Sequence, residues 1–130
     1  MQVRLIGPVE IDSGGGVVEI GPPQQRLLVA ALAVDAGRLV SAESLIDRIW
    51  DDAPSGARRT LHVLVSKLRR LLEQASGREP GAVTVVRGSG GYVLQLDPER
   101  VDVLRLRRLA DGARRVDGTE RLEQIGRAHV

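Results

Sequence analysis

Cysteine and phenylalanine are absent from these 130 residues, and lysine occurs once, at Lys67. Without cysteine there are no disulfides, thiolate zinc sites or cysteine nucleophiles, which is compatible with the reducing cytoplasm where the protein is expected to reside. The aromatic residues are Trp50 and Tyr92 alone. Domains that hold single-stranded nucleic acid stack bases on several aromatic rings, so that class is disfavoured. The longest apolar run, Leu27–Val34, is far too short to span a bilayer. Val3–Gly7 is too short for the apolar part of a secretory signal. No membrane partner is expected.

What is present fits one domain, or one domain plus a fragment. Apolar residues make up 42% of the chain, enough for a core. The formal charge is only +2, yet the pI is ≈ 9.9. Almost every basic residue is arginine. A small total with a local basic cluster points to a specific anionic contact rather than a general polyanion coat.

The cluster is Ser55–Leu72, SGARRTLHVLVSKLRRLL, which holds no acid before Glu73. At about 100° per residue, Leu61, Leu64, Val65, Leu68, Leu71 and Leu72 form one stripe of a core-facing helix. Arg59, Val63, Ser66 and Arg70 fall opposite it. Thr60 and Lys67 flank them on one edge, His62 and Arg69 on the other. Solvated helix faces usually mix charge signs, because Glu–Lys pairs one turn apart stabilise a helix and like charges do not. A helix docked by one face and basic on the other suits a major groove.

The surrounding chain reads in order. Val3–Gly7, Val9–Asp12 and Val17–Ile20 are short strands of an antiparallel sheet. The Ser13–Gly16 turn has the glycines of a phosphate loop, but no helix follows to complete an anion site. Pro22-Pro23 opens a buried helix over Gln24–Ala36, with Gly37 at its exit. Leu39-Val40 is a two-residue link or a short strand. Ser41 caps a second helix, with Leu45, Ile46, Ile49 and Trp50 inside and Glu43, Asp47, Asp51 and Asp52 outside. Ser55 is the expected cap of the basic helix, which breaks in Gln74–Gly81. Val83–Val86 and Tyr92–Leu96 flank a glycine-rich turn, Arg87–Gly91. This order predicts an α+β winged helix-turn-helix: an N-terminal antiparallel sheet, three helices and a C-terminal β-hairpin wing.

Four segments together carry a family resemblance: GPPQQRLL at Gly21–Leu28, LVSAESLIDRIW at Leu39–Trp50, ARRTLHVLVSKLRRLLE at Ala57–Glu73 and VVRGSGGYVL at Val85–Leu94. They resemble the OmpR-type winged helix at the N-terminus of SARP-type and AfsR-like regulators. The resemblance implies a DNA-binding domain over residues 1–97. Residues 98–130 would then be a linker and the truncated first helix of an all-helical bacterial transcriptional activation domain. It further implies an activator of a biosynthetic gene cluster that binds direct repeats near a promoter, as a dimer or in tandem, and contacts RNA polymerase. By position, Arg59, Thr60, Val63, Ser66 and Lys67 resemble groove-facing residues, and Arg87 resembles a wing arginine that reaches the minor groove. Asp51 and Asp52 lie in the loop that touches polymerase in this fold class. Gly90-Gly91 gives the wing one glycine more than the commoner R-G-x-G-Y form, which bears on the reach of Arg87.

Arg59 and Arg70 are expected to meet the groove. Val63 could touch a thymine methyl or be a scattered exposed apolar residue. Ser66 and Lys67 could meet base or phosphate, the latter being commoner. Arg58 and Arg69 are expected to meet phosphate or acids of the second helix. His62 has no partner at ligand spacing, and no serine has a histidine placed for hydrolase chemistry, so neither metal, cofactor nor enzyme activity is expected. Two readings remain open: a sequence-specific double-stranded DNA binder, and a protein-interaction module whose basic face meets an acidic partner. The last six residues, IGRAHV at Ile125–Val130, can be written in codons that look like a common sequencing adapter. They are expected to be foreign to the natural protein.

Overall fold

Three short strands open the chain: β1 (Gln2–Arg4), β2 (Glu10–Asp12) and β3 (Val17–Val18). They are part of a computed structural model that describes residues 1–76 and 82–114. The strands form an antiparallel sheet in that order, with Val3 opposite Ile11 and Ile11 opposite Val18. Alternation turns Val3 and Ile11 into the core. On the outer face Arg4 reaches Glu10 at 3.3 Å and Asp12 at 2.8 Å. The Ser13–Gly16 turn leads into β3, as the sequence implies, and is closed by the Ser13 amide donating to the Gly16 carbonyl at 3.0 Å.

Helix α1 (Pro23–Ala33) begins where proline costs least, and Leu28, Val29, Ala31, Leu32 and Ala33 are buried. It is shorter than the predicted Gln24–Ala36. The amides of Asp35 and Ala36 donate to carbonyls three residues back, so the exit tightens into turns before Gly37, which adopts φ +81°. The expected link after it is strand β4 (Leu39–Ser41). Helix α2 (Ala42–Ile49) is capped as predicted, with Ser41 Oγ accepting from the Ser44 amide at 3.1 Å. Arg48 ties α2 to the end of α1: its Nη1 donates to the Ala31 carbonyl at 2.8 Å and the Asp35 carboxylate at 2.7 Å. One carbonyl of the last turn of α1 thereby gains a partner.

Helix α3 (Ala57–Ser76) departs from expectation at its start. Gly56, not Ser55, opens it: the Gly56 carbonyl accepts from the Thr60 amide at 3.1 Å. Gly56 sits at φ +79°, a conformation that glycine adopts without strain. The helix runs to Ser76, inside the segment Gln74–Gly81 where the sequence places its end.

The wing is tighter than the sequence suggests. Strands β5 (Thr84–Gly88) and β6 (Gly91–Gln95) pair antiparallel, Gly88 opposite Gly91, so only Ser89 and Gly90 form the turn. Arg87 and Gly88, expected in the turn, belong to β5. The second sheet has the order β4-β6-β5, with Ser41 opposite Gly91 and Val40 opposite Tyr92. The additional glycine therefore does not lengthen the wing. A Cβ on Gly91 would lie 2.8 Å from the Val40 carbonyl carbon and 2.9 Å from the Ser41 Cα, so a glycine here lets β4 close on the hairpin.

Beyond β6 the chain passes through a 3-10 turn (Pro98–Arg100) into helix α4, described over residues 102–114. Val101 is fully buried in the same core and bridges to Val3. The Asp102 carboxylate accepts from the amides of Leu5 at 2.7 Å and Ile6 at 3.1 Å. Glu99 and Arg108 form an ion pair. The expectations for residues 115–130, including Ile125–Val130, lie outside the described residues.

Gly91→Ala should lower unfolding stability by about 3 kcal/mol, because backbone rather than a flexible side chain must move. Gly90→Ala, which meets only the left-handed penalty at φ +75°, should cost about 1–2 kcal/mol. Urea unfolding of both variants checks this. Equal losses would refute the close approach of β4.

Candidate nucleic-acid interface

The rotation of α3 about its axis follows from what it buries. Leu61, Leu64, Val65, Leu68 and Leu72 are buried and Leu71 is half-buried, matching the predicted stripe. Full burial of one such side chain contributes about 1.5–3 kcal/mol. Their joint burial leaves the charged residues facing out. Arg58, Arg59, His62, Lys67 and Arg70 are exposed, and Val63 stands among them at 45% exposure.

Thr60 and Ser66 are half-buried. Thr60 Oγ1 donates to the Gly56 carbonyl at 3.4 Å, and Ser66 Oγ to the His62 carbonyl at 3.0 Å. With those protons engaged, each hydroxyl oxygen keeps lone pairs to accept from a ligand.

The arginines are not equivalent. Arg59, Lys67, Arg70 and Arg87 make no ion pair with another described residue. Arg58 lies 3.4 Å from Glu43 on α2, the acid of the second helix that the sequence suggested. Both partners are well exposed, and such pairs contribute about 0–1 kcal/mol, so an incoming anion can take Arg58 over. Arg69 pairs with no acid of α2 among the described residues. Its Nε donates to the Val85 carbonyl at 2.8 Å, on β5 of the wing. Sequence reading put Arg69 at the edge of the helix but could not show that a strand runs beside that edge.

Two bonds thus hold the hairpin against the helices: Arg69 to Val85 from α3, and the Ala42 amide at the start of α2 to the Gly90 carbonyl at 2.9 Å. Between the first turns of α3 and the wing lies an open cleft of about 450 Å³. Arg58, Arg59 and His62 line it from α3, Arg87 and Tyr92 from the hairpin. Arg87 is exposed and paired across the strands with Tyr92. His62, which the sequence reading weighed only as a metal or hydrolase residue, belongs to this basic cleft. The signal was present, since it lies one turn from both Arg58 and Arg59. Asp51 and Asp52 are exposed in the loop between α2 and α3, and Lys67 and Arg70 continue the basic face toward the far end of α3.

The family described as "Transcriptional regulatory protein, C terminal" matches residues 16–94. The chain belongs to this family. The matched span of the transcriptional regulatory family runs from the turn before β3 into β6, so it contains α1, α2, α3 and the wing. Its relatives include RedD, a transcriptional regulator of Streptomyces coelicolor, 36% identical over 113 residues that make up 84% of this chain and 31% of RedD. The regulatory protein AfsR of Streptomyces griseus is 35% identical over 104 residues, 79% of this chain and 10% of AfsR. Among solved structures, Mycobacterium tuberculosis EmbR in complex with a low affinity phosphopeptide superposes with a TM-score of 0.71 at 35% identity, covering 80% of this chain and 27% of EmbR. The chain therefore spans less than a third of each of these relatives. The SARP-type resemblance and the winged helix fold are both supported by these matches.

Arg69→Met should lower unfolding stability by about 1–2 kcal/mol, since a charged donor leaves the Val85 carbonyl. The same variant should keep the wild-type salt dependence on random duplex DNA. A slope reduced by about one phosphate equivalent would make Arg69 a backbone contact instead.

Proposed function

We propose that this chain is the sequence-specific, double-stranded DNA-binding part of a transcriptional activator of a biosynthetic gene cluster. The observation that carries the reading is the cationic face of α3. It is turned outward by a fully apolar opposite face, and a second arginine-bearing element stands across a cleft from it. In this reading α3 enters the major groove, with Arg59, Val63 and Arg70 toward the groove and Arg58, Thr60, Ser66 and Lys67 toward bases or phosphates. Arg87 extends from the wing into the adjacent minor groove. Copies bind in tandem or as a dimer on direct repeats near a promoter. Asp51 and Asp52 contact RNA polymerase, because an acidic loop beside DNA is repelled unless it faces another protein. Residues 98–130 begin an activation domain, consistent with the greater length of the relatives.

Selection of bound sites from random duplexes, followed by salt titration on selected and random DNA, tests the reading. A DNA binder shows log K falling linearly with log salt, by about 0.9 per phosphate neutralised, and a preference of roughly a thousandfold or more for its selected site. Equal affinity for both DNAs would favour the competing reading, a basic face that meets an acidic protein.

Three variants dissect the interface. Arg59→Ala should cost about 1–3 kcal/mol of discrimination at one base pair. An equal loss on random DNA would make Arg59 a phosphate clamp.

Arg87→Ala should weaken binding most where the flank is A·T-rich, since a narrow minor groove concentrates negative potential. The minor-groove role is wrong if wild-type affinity ignores a switch of that flank to G·C.

Replacing Asp51 and Asp52 together by Ala should leave promoter footprints intact while reducing recruitment of RNA polymerase to the same promoter. A parallel fall in both measurements would remove the polymerase role.

A further inference from the structure

Gln25 is the one buried polar side chain among the described residues, at 3% exposure. It lies in the first turn of α1, where its own amide donates to the Pro22 carbonyl at 3.0 Å. Its Nε2 donates to the Leu64 carbonyl, in the middle of α3, at 3.0 Å. That carbonyl can only accept, so the amide nitrogen must face it and Oε1 must point elsewhere. Oε1 is buried and has no hydrogen-bond partner among the described residues. Leaving such an atom unsatisfied opposes folding. The Leu64 carbonyl does not need the bond either, because a helical carbonyl in this position already accepts from the amide four residues on. An apolar side chain of similar length would fill the space without the penalty.

The bond supplies direction. The other buried residues of α1 and α3 are apolar, and hydrophobic attraction has no preferred direction. The apolar stripe sets which face of α3 is buried, but it discriminates less between positions that differ by a fraction of a residue. A hydrogen bond to one carbonyl resists such small slides and rotations, because its strength falls steeply with distance and angle. Leu64 adjoins Val63 and lies one turn from Thr60 and Lys67, so the pinned point is at the centre of the outward-facing set. Pro22 and Pro23 restrict the chain that carries Gln25, so the pin has a stiff base.

We propose that Gln25 is a positioning residue that fixes the register of α3 against α1, and that it supports DNA sequence discrimination at the expense of fold stability. The proposal rests on the reading of α3 as the recognition helix. Gln25→Met, which keeps the length and removes both polar groups, tests it. The variant should fold with a Tm equal to or above wild type. Its affinity for random duplex should be unchanged, while the ratio of selected-site to random affinity falls roughly tenfold, about the effect of losing one base contact. In the free variant, relaxation dispersion should report new μs–ms exchange confined to α3.

An unchanged affinity ratio would overturn the proposal, as would a lower Tm or failure to fold, because either stability result makes the bond an ordinary support. Absence of site preference in the wild type would instead defeat the recognition reading. The Tm and relaxation measurements would then still decide whether Gln25 pins α3, since neither involves DNA.

Discussion

Burial of Leu61, Leu64, Val65, Leu68 and Leu72 sets the rotation of α3, and the placement of the basic side chains follows from that rotation. The stripe packs toward α1, α2 and β5, so three elements agree on one helix orientation. Turning α3 by a residue would bury Arg69 or Lys67 without a partner and expose leucine, which costs far more than any surface ion pair returns. The arrangement of cations is thus a by-product of apolar packing. Arg69 shows how closely the two are joined, for it is half-buried and its Nε reaches the Val85 carbonyl.

Charge is separated over the surface as a result. Glu43, Asp47, Asp51 and Asp52 are exposed on α2 and the loop after it, while the exposed charges of α3 up to Arg70 are basic. A net charge of +2 conceals this division. An approaching polyanion meets a field that orients it before contact, and high salt would weaken that orientation more than it weakens a bond such as Arg69 to Val85.

Much of this was legible from periodicity. The stripe of α3 follows from spacing alone, because a buried face must recur at the period of its element, and the Ser41 cap follows from a serine set just before such a stripe. The details that escaped depend on partners distant in sequence. The wing turn looked five residues long because its glycines gave no sign that β4 would pair along β6 and draw Gly91 into the ladder. Ser55 has the chemistry of a cap, but the backbone reversal after Pro54 required a positive φ, and Gly56 took the place. Gln25 sat unremarked in a run of helix formers, since nothing local indicates that a glutamine will face inward. His62 was judged by the ligands it lacked, when its neighbours one turn away were the informative feature. The candidate contacts themselves, from Arg58 through Arg87, rest on exposure and position, which the sequence supplied for α3 and only roughly for the wing.

The tie between Asp102 and the amides of Leu5 and Ile6 spans 97 and 96 residues. The first sheet is therefore closed only after the helices and the wing have left the ribosome. Until Val101 and Asp102 emerge, β1 keeps an unfastened edge and Val3 lacks its neighbour. The helices and wing can meanwhile assemble through contacts closer in sequence, since shorter loops close at lower entropic cost. Folding of this domain during synthesis should end with this clasp, and a chain halted before Val101 would present β1 as an open strand to its neighbours on the same messenger.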